Sequence, residues 1–199
     1  MKRQHDRVLR SALVLAGTAC AALAASISTV GASAASCPPP PPVVHPFAPW
    51  GDSDSYVLTT GGSFEPGSPA WTLSGGARIV PGNEPFHTNG AKDGYSLSLP
   101  AGSSATSPCV TAPLIIGAVR FFVANSGVTG GLLKVDVLVK GGVYTAGMFA
   151  AGRWAPSPKL ATAAPYYSGA VAFQVRLTPV GWGAGFDVDD VYFDPLKSQ

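Results

Sequence analysis

The feature that most constrains this chain is a period-two alternation of apolar and polar residues that recurs from residue 56 onward. Residues 95–99 alternate tyrosine or leucine with serine, 133–137 alternate leucine or valine with lysine and aspartate, and 171–177 repeat the pattern. Such alternation is typical of strands with one buried face, and no comparable stretch of helical periodicity exists. The sequence therefore predicts an all-β chain.

The remaining strands are placed by turn signals, mostly glycine pairs and the Pro-Gly-Asn of residues 81–83. We expect these further strands at 55–60, 70–74, 77–80, 113–124, 143–149 and 185–193. Eight or nine short strands at this spacing favour a two-sheet antiparallel sandwich with jelly-roll or similar topology. The sandwich domain is predicted to span residues 55–199.

The first 34 residues have the pattern of a secretory signal. Lys2, Arg3, Arg7 and Arg10 precede an uncharged, mostly apolar run over residues 11–30. Ala32-Ser33-Ala34 then supplies the small residues that signal peptidase requires, so cleavage is predicted after Ala34. The alternative is an uncleaved anchor, since the run is just long enough to span a bilayer. Cleavage predicts a secreted, extracellular protein with no membrane attachment.

The residues after position 34 form a nearly neutral chain of 165 residues, with nine basic and ten acidic side chains. This length suits one domain with one hydrophobic core. Nucleic acid is an unfavourable partner because a phosphate backbone requires a concentrated basic surface, and these charges are sparse and balanced. Frequent glycine and proline fit short strands joined by tight turns.

Two cysteines, Cys37 and Cys109, remain after the predicted cleavage. In an oxidising compartment an even pair predicts one disulfide, although two free thiols are the alternative. Residues 35–54 include five consecutive prolines at 38–42 and are predicted to form a Pro-rich, extended N-terminal tail.

The final predicted strand carries adjacent carboxylates, Asp189 and Asp190, between apolar residues. In a regular strand Asp190 shares a face with Val188 and Tyr192, and Asp189 shares the other face with Val191. A buried carboxylate must be paired, hydrogen-bonded or metal-bound. Calcium is one solution. The other is hydrogen bonding to backbone N–H groups or pairing with Arg120 or Arg176.

Four segments together resemble the galactose-binding-like jelly roll of carbohydrate-binding modules: residues 62–65 (Gly-Ser-Phe-Glu), 71–75 (Trp-Thr-Leu-Ser-Gly), 94–99 and 188–191 (Val-Asp-Asp-Val). The order of these segments matches over residues 56–194. Residues 82–86 and 104–108 are also similar to segments of secreted actinobacterial proteins of unknown activity. The resemblance implies a jelly roll that binds carbohydrate, with Glu65 and Asp190 as ligands of a structural calcium ion.

Sugar binding needs flat aromatic faces and a few polar groups that orient hydroxyls. The candidates in predicted strands and loops are Tyr144, Arg153, Trp154 and Trp182. For each of them the alternative is ordinary packing. Trp71 is the poorest candidate, because the resembling folds use a core aromatic at that point.

Catalysis has little support in the sequence. His45 and His87 lie apart from other metal-ligating side chains, and no Gly-x-Ser-x-Gly nucleophile turn is present. A glycosidase-like carboxylate pair could be formed by Glu65 and Glu84, or by either with Asp190. The leading hypothesis is therefore a secreted non-catalytic module that binds a carbohydrate or cell-envelope polymer. The alternatives are a structural extracellular protein that acts through protein contacts, and a glycan-active hydrolase or lyase.

Overall fold

The computed structural model describes residues 37–39, 41–68, 71–113, 117–140, 142–161 and 170–194. The predicted signal at 1–34 lies outside these residues. Within them the chain forms one short 3-10 helix, Ala48–Trp50, and the strands β1 Val57–Leu58, β2 Thr72–Ser74, β3 Arg78–Pro81, β4 Tyr95–Leu99, β5 Ser104–Thr106, β6 Val110–Pro113, β7 Ala118–Asn125, β8 Leu132–Val139, β9 Gly142–Phe149, β10 Ala155–Pro156, β11 Leu160–Ala161, β12 Ala170–Val180 and β13 Phe186–Asp194.

The strands form two antiparallel sheets. The seven-stranded sheet has the order β10-β7-β13-β4-β3, with β1 also paired to β13 and β11 to β7. The six-stranded sheet has the order β2-β5-β12-β8-β9, with β6 also paired to β12. The prediction of an all-β, two-sheet antiparallel sandwich is confirmed.

The strands with the clearest alternation are the ones that the sequence located best. β4, β8 and β12 cover the three alternating segments, and most of the apolar residues that alternate in them lie in the core, among them Leu97, Val135 and Val175. The predicted strand at 113–124 is wrong as a single element, since its ends belong to β6 in one sheet and β7 in the other. Three short strands, β5, β10 and β11, were not predicted, because they have too few residues to show a period-two alternation.

The core lies between the sheets and is closed by side chains from both. Phe121 and Phe193 come from the seven-stranded sheet and Phe173 from the six-stranded sheet, and all three are at most 1% exposed. The rings of Phe173 and Phe193 lie 4.2 Å apart across the interface. Trp71 is also buried in this core, and its indole N–H donates to the carbonyl of Thr60, as expected of a core aromatic.

A β-bulge interrupts β13 between Asp189 and Tyr192, where Asp190 adopts a left-handed φ of 47°. The extra residue changes the phase of the strand, so Val188 and Val191 both face the inter-sheet core. The assignment of faces for a regular strand is therefore wrong after Asp189. Both Asp189 and Asp190 are buried, at 0% and 1% exposure.

The Gly-Ser-Phe-Glu segment contacts the bulged part of β13 through Gly62. The backbone N–H of Val191 donates to the carbonyl of Gly62 over 3.0 Å. A Cβ atom on Gly62 would lie 2.7 Å from the carbonyl oxygen of Val191 and 2.5 Å from Oγ1 of Thr59. This close approach leaves no room for a side chain.

A second apolar cluster covers the outer face of the seven-stranded sheet, the face opposite the inter-sheet core. It consists of Phe47, Tyr56, Phe122 and Tyr192, with Leu58 and Trp154 packed against it. Phe47 belongs to the Pro-rich segment, which also forms the 3-10 helix and pairs Val44 with Tyr56. The segment over residues 35–54, predicted to be an extended tail, therefore packs onto the sheet through Phe47.

Polar contacts also hold this segment in place. Arg120 forms an ion pair with Asp52, and its guanidinium lies 4.6 Å from the ring centroid of Phe47. The predicted disulfide between Cys37 and Cys109 is confirmed, and its Cα atoms are 5.3 Å apart. No helix among the described residues is long and apolar enough to span a membrane.

Candidate functional site

An open cleft of about 860 Å³ lies on the outer face of the seven-stranded sheet, at the end of β7. We call it the Trp154 cleft. Its lining residues are Pro85, Phe86, Ala124, Asn125, Gly127, Thr129, Ala151, Gly152, Arg153 and Trp154.

The wall that carries Arg153 and Trp154 is fixed by backbone pairing to β7. The N–H of Asn125 donates to the carbonyl of Gly152 over 2.7 Å. The next residues form β10, in which Ala155 pairs with Val123. Trp154 is half-buried because it packs against the outer cluster and also lines the cleft. Arg153 is exposed.

The opposite wall is Phe86, whose ring is 42% exposed. Its ring centroid lies 5.0 Å from that of Trp50 and 5.5 Å from that of Phe122. Trp50 is itself 37% exposed. The N-terminal segment therefore contributes to the aromatic surface beside the cleft.

The third wall is the loop after β7. Asn125 Oδ1 accepts the N–H of Gly127, and the N–H of Val128 donates to the carbonyl of Gly183. A Cβ atom on Gly127 would lie 2.2 Å from the backbone nitrogen of Gly185, so this close approach requires glycine. Thr129 presents an exposed hydroxyl at the rim.

The structure brings together only two of the four sugar-binding candidates predicted from the sequence. Arg153 and Trp154 line the cleft. Tyr144 lies on β9 of the other sheet and packs against the inter-sheet core. Trp182, 91% exposed, occupies the turn between β12 and β13, next to Gly183, which bonds to the cleft loop. Whether any of the four binds a ligand stays a prediction.

Phe86, Trp50 and Asn125 are absent from the sequence-based prediction. Phe86 lies in the Asn-Glu-Pro-Phe part of a segment that the sequence singles out without assigning it a role. Trp50 lies in the Pro-rich segment and Asn125 ends a strand. An exposed aromatic after proline in a loop is the only local signal, and it does not identify which wall the ring belongs to.

A group of buried carboxylates lies beneath the Phe86 wall. Glu84 is 0% exposed, and its carboxylate accepts the backbone N–H groups of Phe86 and Thr88. Asp189 Oδ2 accepts the N–H of Glu84, and Asp190 Oδ2 accepts the N–H of Asn89. These carboxylates hold the loop that carries Phe86.

Burial and repulsion from neighbouring carboxylates raise the pKa values of both Asp189 and Asp190. Burial, followed by the charge of Asp190, raises the pKa of Asp189 to about 8. Burial, followed by the charges of Glu84 and Asp93, raises the pKa of Asp190 to about 7. The arginines considered as partners bind elsewhere, Arg120 to Asp52 and Arg176 to Asp136. Hydrogen bonding to backbone N–H groups is therefore the observed solution.

Glu65 and Asp190, the predicted calcium ligands, each have one carboxylate oxygen without a hydrogen-bond partner among the described residues. Glu65 accepts the N–H groups of Gly94 and Tyr95 through Oε1. Asp190 Oδ1 is buried and accepts no hydrogen bond from any described residue. Calcium binds carboxylate oxygens such as these, and it is also bound by backbone carbonyl oxygens. However, no set of three or more His, Cys, Asp and Glu side chains among the described residues is grouped for metal binding.

None of the described residues that line the Trp154 cleft carries a carboxylate. Glu84 and Asp190 are buried beneath its wall, and Glu65 lines a different, smaller depression beside Trp71. In the described part of the chain, the carboxylate pairs considered for a glycosidase are thus engaged with backbone groups and not exposed in this cleft.

Comparison with known proteins gives only distant likenesses. No protein-family model and no curated protein matches the chain. Among solved structures, a CBM61 module in complex with β-1,4-galactotriose is 17% identical, covering 68% of this chain and 92% of its own, with a TM-score of 0.42. The CBM22-1 xylan-binding domain of Paenibacillus barcinonensis Xyn10C is 13% identical, covering 65% and 88%, with a TM-score of 0.41.

A third similar structure has a different role. The mosquito-larvicidal Cry4Aa toxin of Bacillus thuringiensis is 11% identical, covering 63% of this chain and 22% of its own, with a TM-score of 0.41. Two of the three are carbohydrate-binding modules, the class that the sequence resembles. At these TM-scores the likeness assigns neither a ligand nor an activity to this chain.

Proposed function

We propose that this chain is a secreted, non-catalytic module that binds a carbohydrate or cell-envelope polymer in the Trp154 cleft. The observation that carries the proposal is the pairing of two partly exposed aromatic rings, Trp154 and Phe86, with polar side chains in one open cleft. Aromatic faces stack on sugar rings, while a few convergent polar groups orient hydroxyls.

The polar groups of the cleft are available to a ligand. Arg153 and the Thr129 hydroxyl make no hydrogen bond to any described residue, and Asn125 Nδ2 has only one long contact of 3.5 Å, to Val128. The described lining residues include no carboxylate, which favours binding over glycan hydrolysis, because hydrolysis needs two facing carboxyl groups. The disulfide and the predicted signal favour an extracellular location.

We also propose that Glu65 and Asp190 contribute to a structural calcium site. Their free carboxylate oxygens support it, with the remaining ligands supplied by backbone carbonyls. The ion would neutralise part of the buried negative charge beneath the Phe86 loop and leave the chemistry of the cleft unchanged.

Retention of the purified protein on insoluble cellulose, chitin, peptidoglycan and whole cell-wall fractions tests the binding function. We expect retention on at least one polymer and a loss of about tenfold in Trp154→Ala. An aromatic contact contributes about 0.5–1.5 kcal/mol beyond the area that it buries, and about 1.4 kcal/mol corresponds to a tenfold change in affinity. Phe86→Ala should also weaken binding. Trp182→Ala is the matched control, since it removes an exposed indole outside the cleft.

Two results would contradict the proposal. If no polymer retains the protein, the structural extracellular alternative gains support, and self-association measured by analytical ultracentrifugation becomes the next experiment. If Trp154→Ala binds as well as the parent while its thermal unfolding is unchanged, the ligand contacts some other surface.

A further inference from the structure

We propose, resting on the binding function above, that the Trp154 cleft selects an anionic glycan and that the guanidinium of Arg153 binds its negative group. The anion is either the carboxylate of a uronic acid or the phosphodiester of a wall polymer, because a guanidinium recognises both through the same paired hydrogen bonds.

The first observation is that Arg153 is exposed and uncommitted. It makes no ion pair or hydrogen bond with the described residues. The other described arginines are engaged: Arg120 with Asp52, Arg176 with Asp136, and Arg78 with the carbonyl of Gly76. Arg153, which lines the cleft, therefore keeps its donors free of partners among the described residues.

The second observation is the placement of the nearby acids. The Glu84 carboxylate lies beside the Phe86 wall but is buried and bonded to backbone N–H groups, as are Asp189 and Asp190. Asp52 pairs with Arg120. No acid among the described residues therefore neutralises Arg153 or faces the cleft beside it.

Asp187 lies outside the cleft. It pairs in register with Ala124, which lines the cleft, but Asp187 itself lines an adjoining depression of about 440 Å³ that shares Gly127 with the cleft. Arg78 lines the same depression, and both Arg78 and Asp187 pair in register with Ser98. The adjoining depression therefore carries both signs of charge, whereas Arg153 is the charged side chain among the described residues that line the cleft.

The aromatic rings and the arginine serve different parts of the same ligand. Trp154 and Phe86 can hold the ring of any sugar, and so they do not distinguish neutral from acidic polymers. A charge-assisted hydrogen bond is roughly twice as strong as a neutral one, so Arg153 adds affinity mainly for an acidic polymer. Selectivity and basal affinity should therefore respond to different substitutions.

Isothermal titration calorimetry with three polymers of matched length tests the proposal: polygalacturonate, a glycerol-phosphate teichoic acid and neutral β-1,4-galactan. We expect at least one acidic polymer to bind about tenfold more tightly than the neutral one, the factor expected for one charge-assisted hydrogen bond. Comparison of the two acidic polymers identifies whether the anion is a carboxylate or a phosphodiester. The preference should decrease as the salt concentration rises.

Substitutions separate the arginine from general charge effects. Arg153→Gln should remove the preference for the acidic polymers and weaken their binding more than it weakens binding of the neutral polymer, and Arg153→Lys should retain part of the preference. Lys140→Gln, which removes one positive charge beside the six-stranded sheet, is the matched control and should change nothing.

The outcomes distinguish this inference from the proposed function. If all three polymers bind equally, or if Arg153→Gln keeps the preference, anionic selectivity is wrong and the binding function stands. If none of these three polymers binds, anionic selectivity is also wrong, and retention on the insoluble fractions decides the binding function separately.

Discussion

The backbone N–H of Glu84 donates a 3.1 Å hydrogen bond to Oδ2 of Asp189, a residue 105 positions later in the chain. The Glu84 carboxylate in turn accepts the N–H groups of Phe86 and Thr88. The loop that carries the Phe86 wall is thus anchored to β13 through two buried acids. The stability of this anchor should depend on pH and on cations.

In the presence of a chelator, we expect the protein to lose stability as the pH rises from about 5 to about 8. The folded-state pKa values of Asp189 and Asp190, about 8 and about 7, lie above the ordinary value of 3.8, so in this range the folded protein binds more protons than the unfolded chain. The stabilisation present at low pH is therefore lost as the pH passes through the raised values. Thermal unfolding should show a falling Tm.

Asp189→Asn should flatten this dependence, because it removes one of the two titrating groups. Asp187→Asn on the same strand is the control. Asp136 does not contribute to this window: its burial opposes ionisation, but hydrogen bonds from Arg176, Thr145 and Lys134 outweigh it and lower its pKa. A Tm that rises steadily from about pH 5 to about pH 8 would contradict the raised values.

Calcium should stabilise the protein most at the higher pH, where the buried carboxylates are ionised and need a counter-charge. At a calcium concentration about 100 times the dissociation constant, binding contributes about 2.7 kcal/mol. Differential scanning fluorimetry should show a Tm increase at about pH 8 that is small at about pH 5. Asp190→Asn should remove the increase and Asp187→Asn should keep it; equal Tm values with and without calcium would exclude the site.

Removal of the disulfide should destabilise the domain by about 4 kcal/mol in the chain-entropy description, because Cys37 and Cys109 close a loop with a sequence separation of 72. Urea unfolding of the Cys37→Ser, Cys109→Ser double variant measures the loss. The reduced parent protein should behave like the double variant. A loss below about 1 kcal/mol would contradict the chain-entropy description of this cross-link.

Phe47→Ala should cost about 3–5 kcal/mol, the range for a buried phenylalanine, because its ring is 0% exposed and contacts Tyr56, Phe122 and Tyr192. Urea unfolding gives the difference. Phe86→Ala is the matched control and should cost much less, since that ring is 42% exposed. Equal losses in the two variants would mean that the N-terminal segment is not part of the folded domain.

Trp182→Ala should change the free energy of unfolding by no more than about 0.5 kcal/mol, because the indole is 91% exposed. Trp71→Ala, by contrast, removes an indole that is 5% exposed and bonded to Thr60, and should cost about 3–5 kcal/mol. Tryptophan fluorescence during urea unfolding reports both. A large loss in Trp182→Ala would place that side chain in a contact beyond the described residues.

The sequence predicted part of the candidate site and missed the rest for a common reason. Arg153 and Trp154 are adjacent in the chain and were recognisable as an aromatic residue and a cation in a loop. Phe86 and Asn125 reach the same cleft from distant segments. Their convergence depends on the Glu84–Asp189 contact and on the pairing of β7 with β10, neither of which leaves a local pattern.

What the sequence determined by itself is the local structure. Alternation over residues 95–99, 133–137 and 171–177 specifies strands, because successive side chains of a strand point to opposite faces of the sheet. The disulfide was also predictable from the sequence, because Cys37 and Cys109 are the two cysteines that remain after the predicted cleavage. Only the tertiary structure decided the bulge at Asp190, the docking of Phe47 and the walls of the Trp154 cleft. These features arise from packing between residues far apart in the chain, where burial and backbone hydrogen bonding override the strand period.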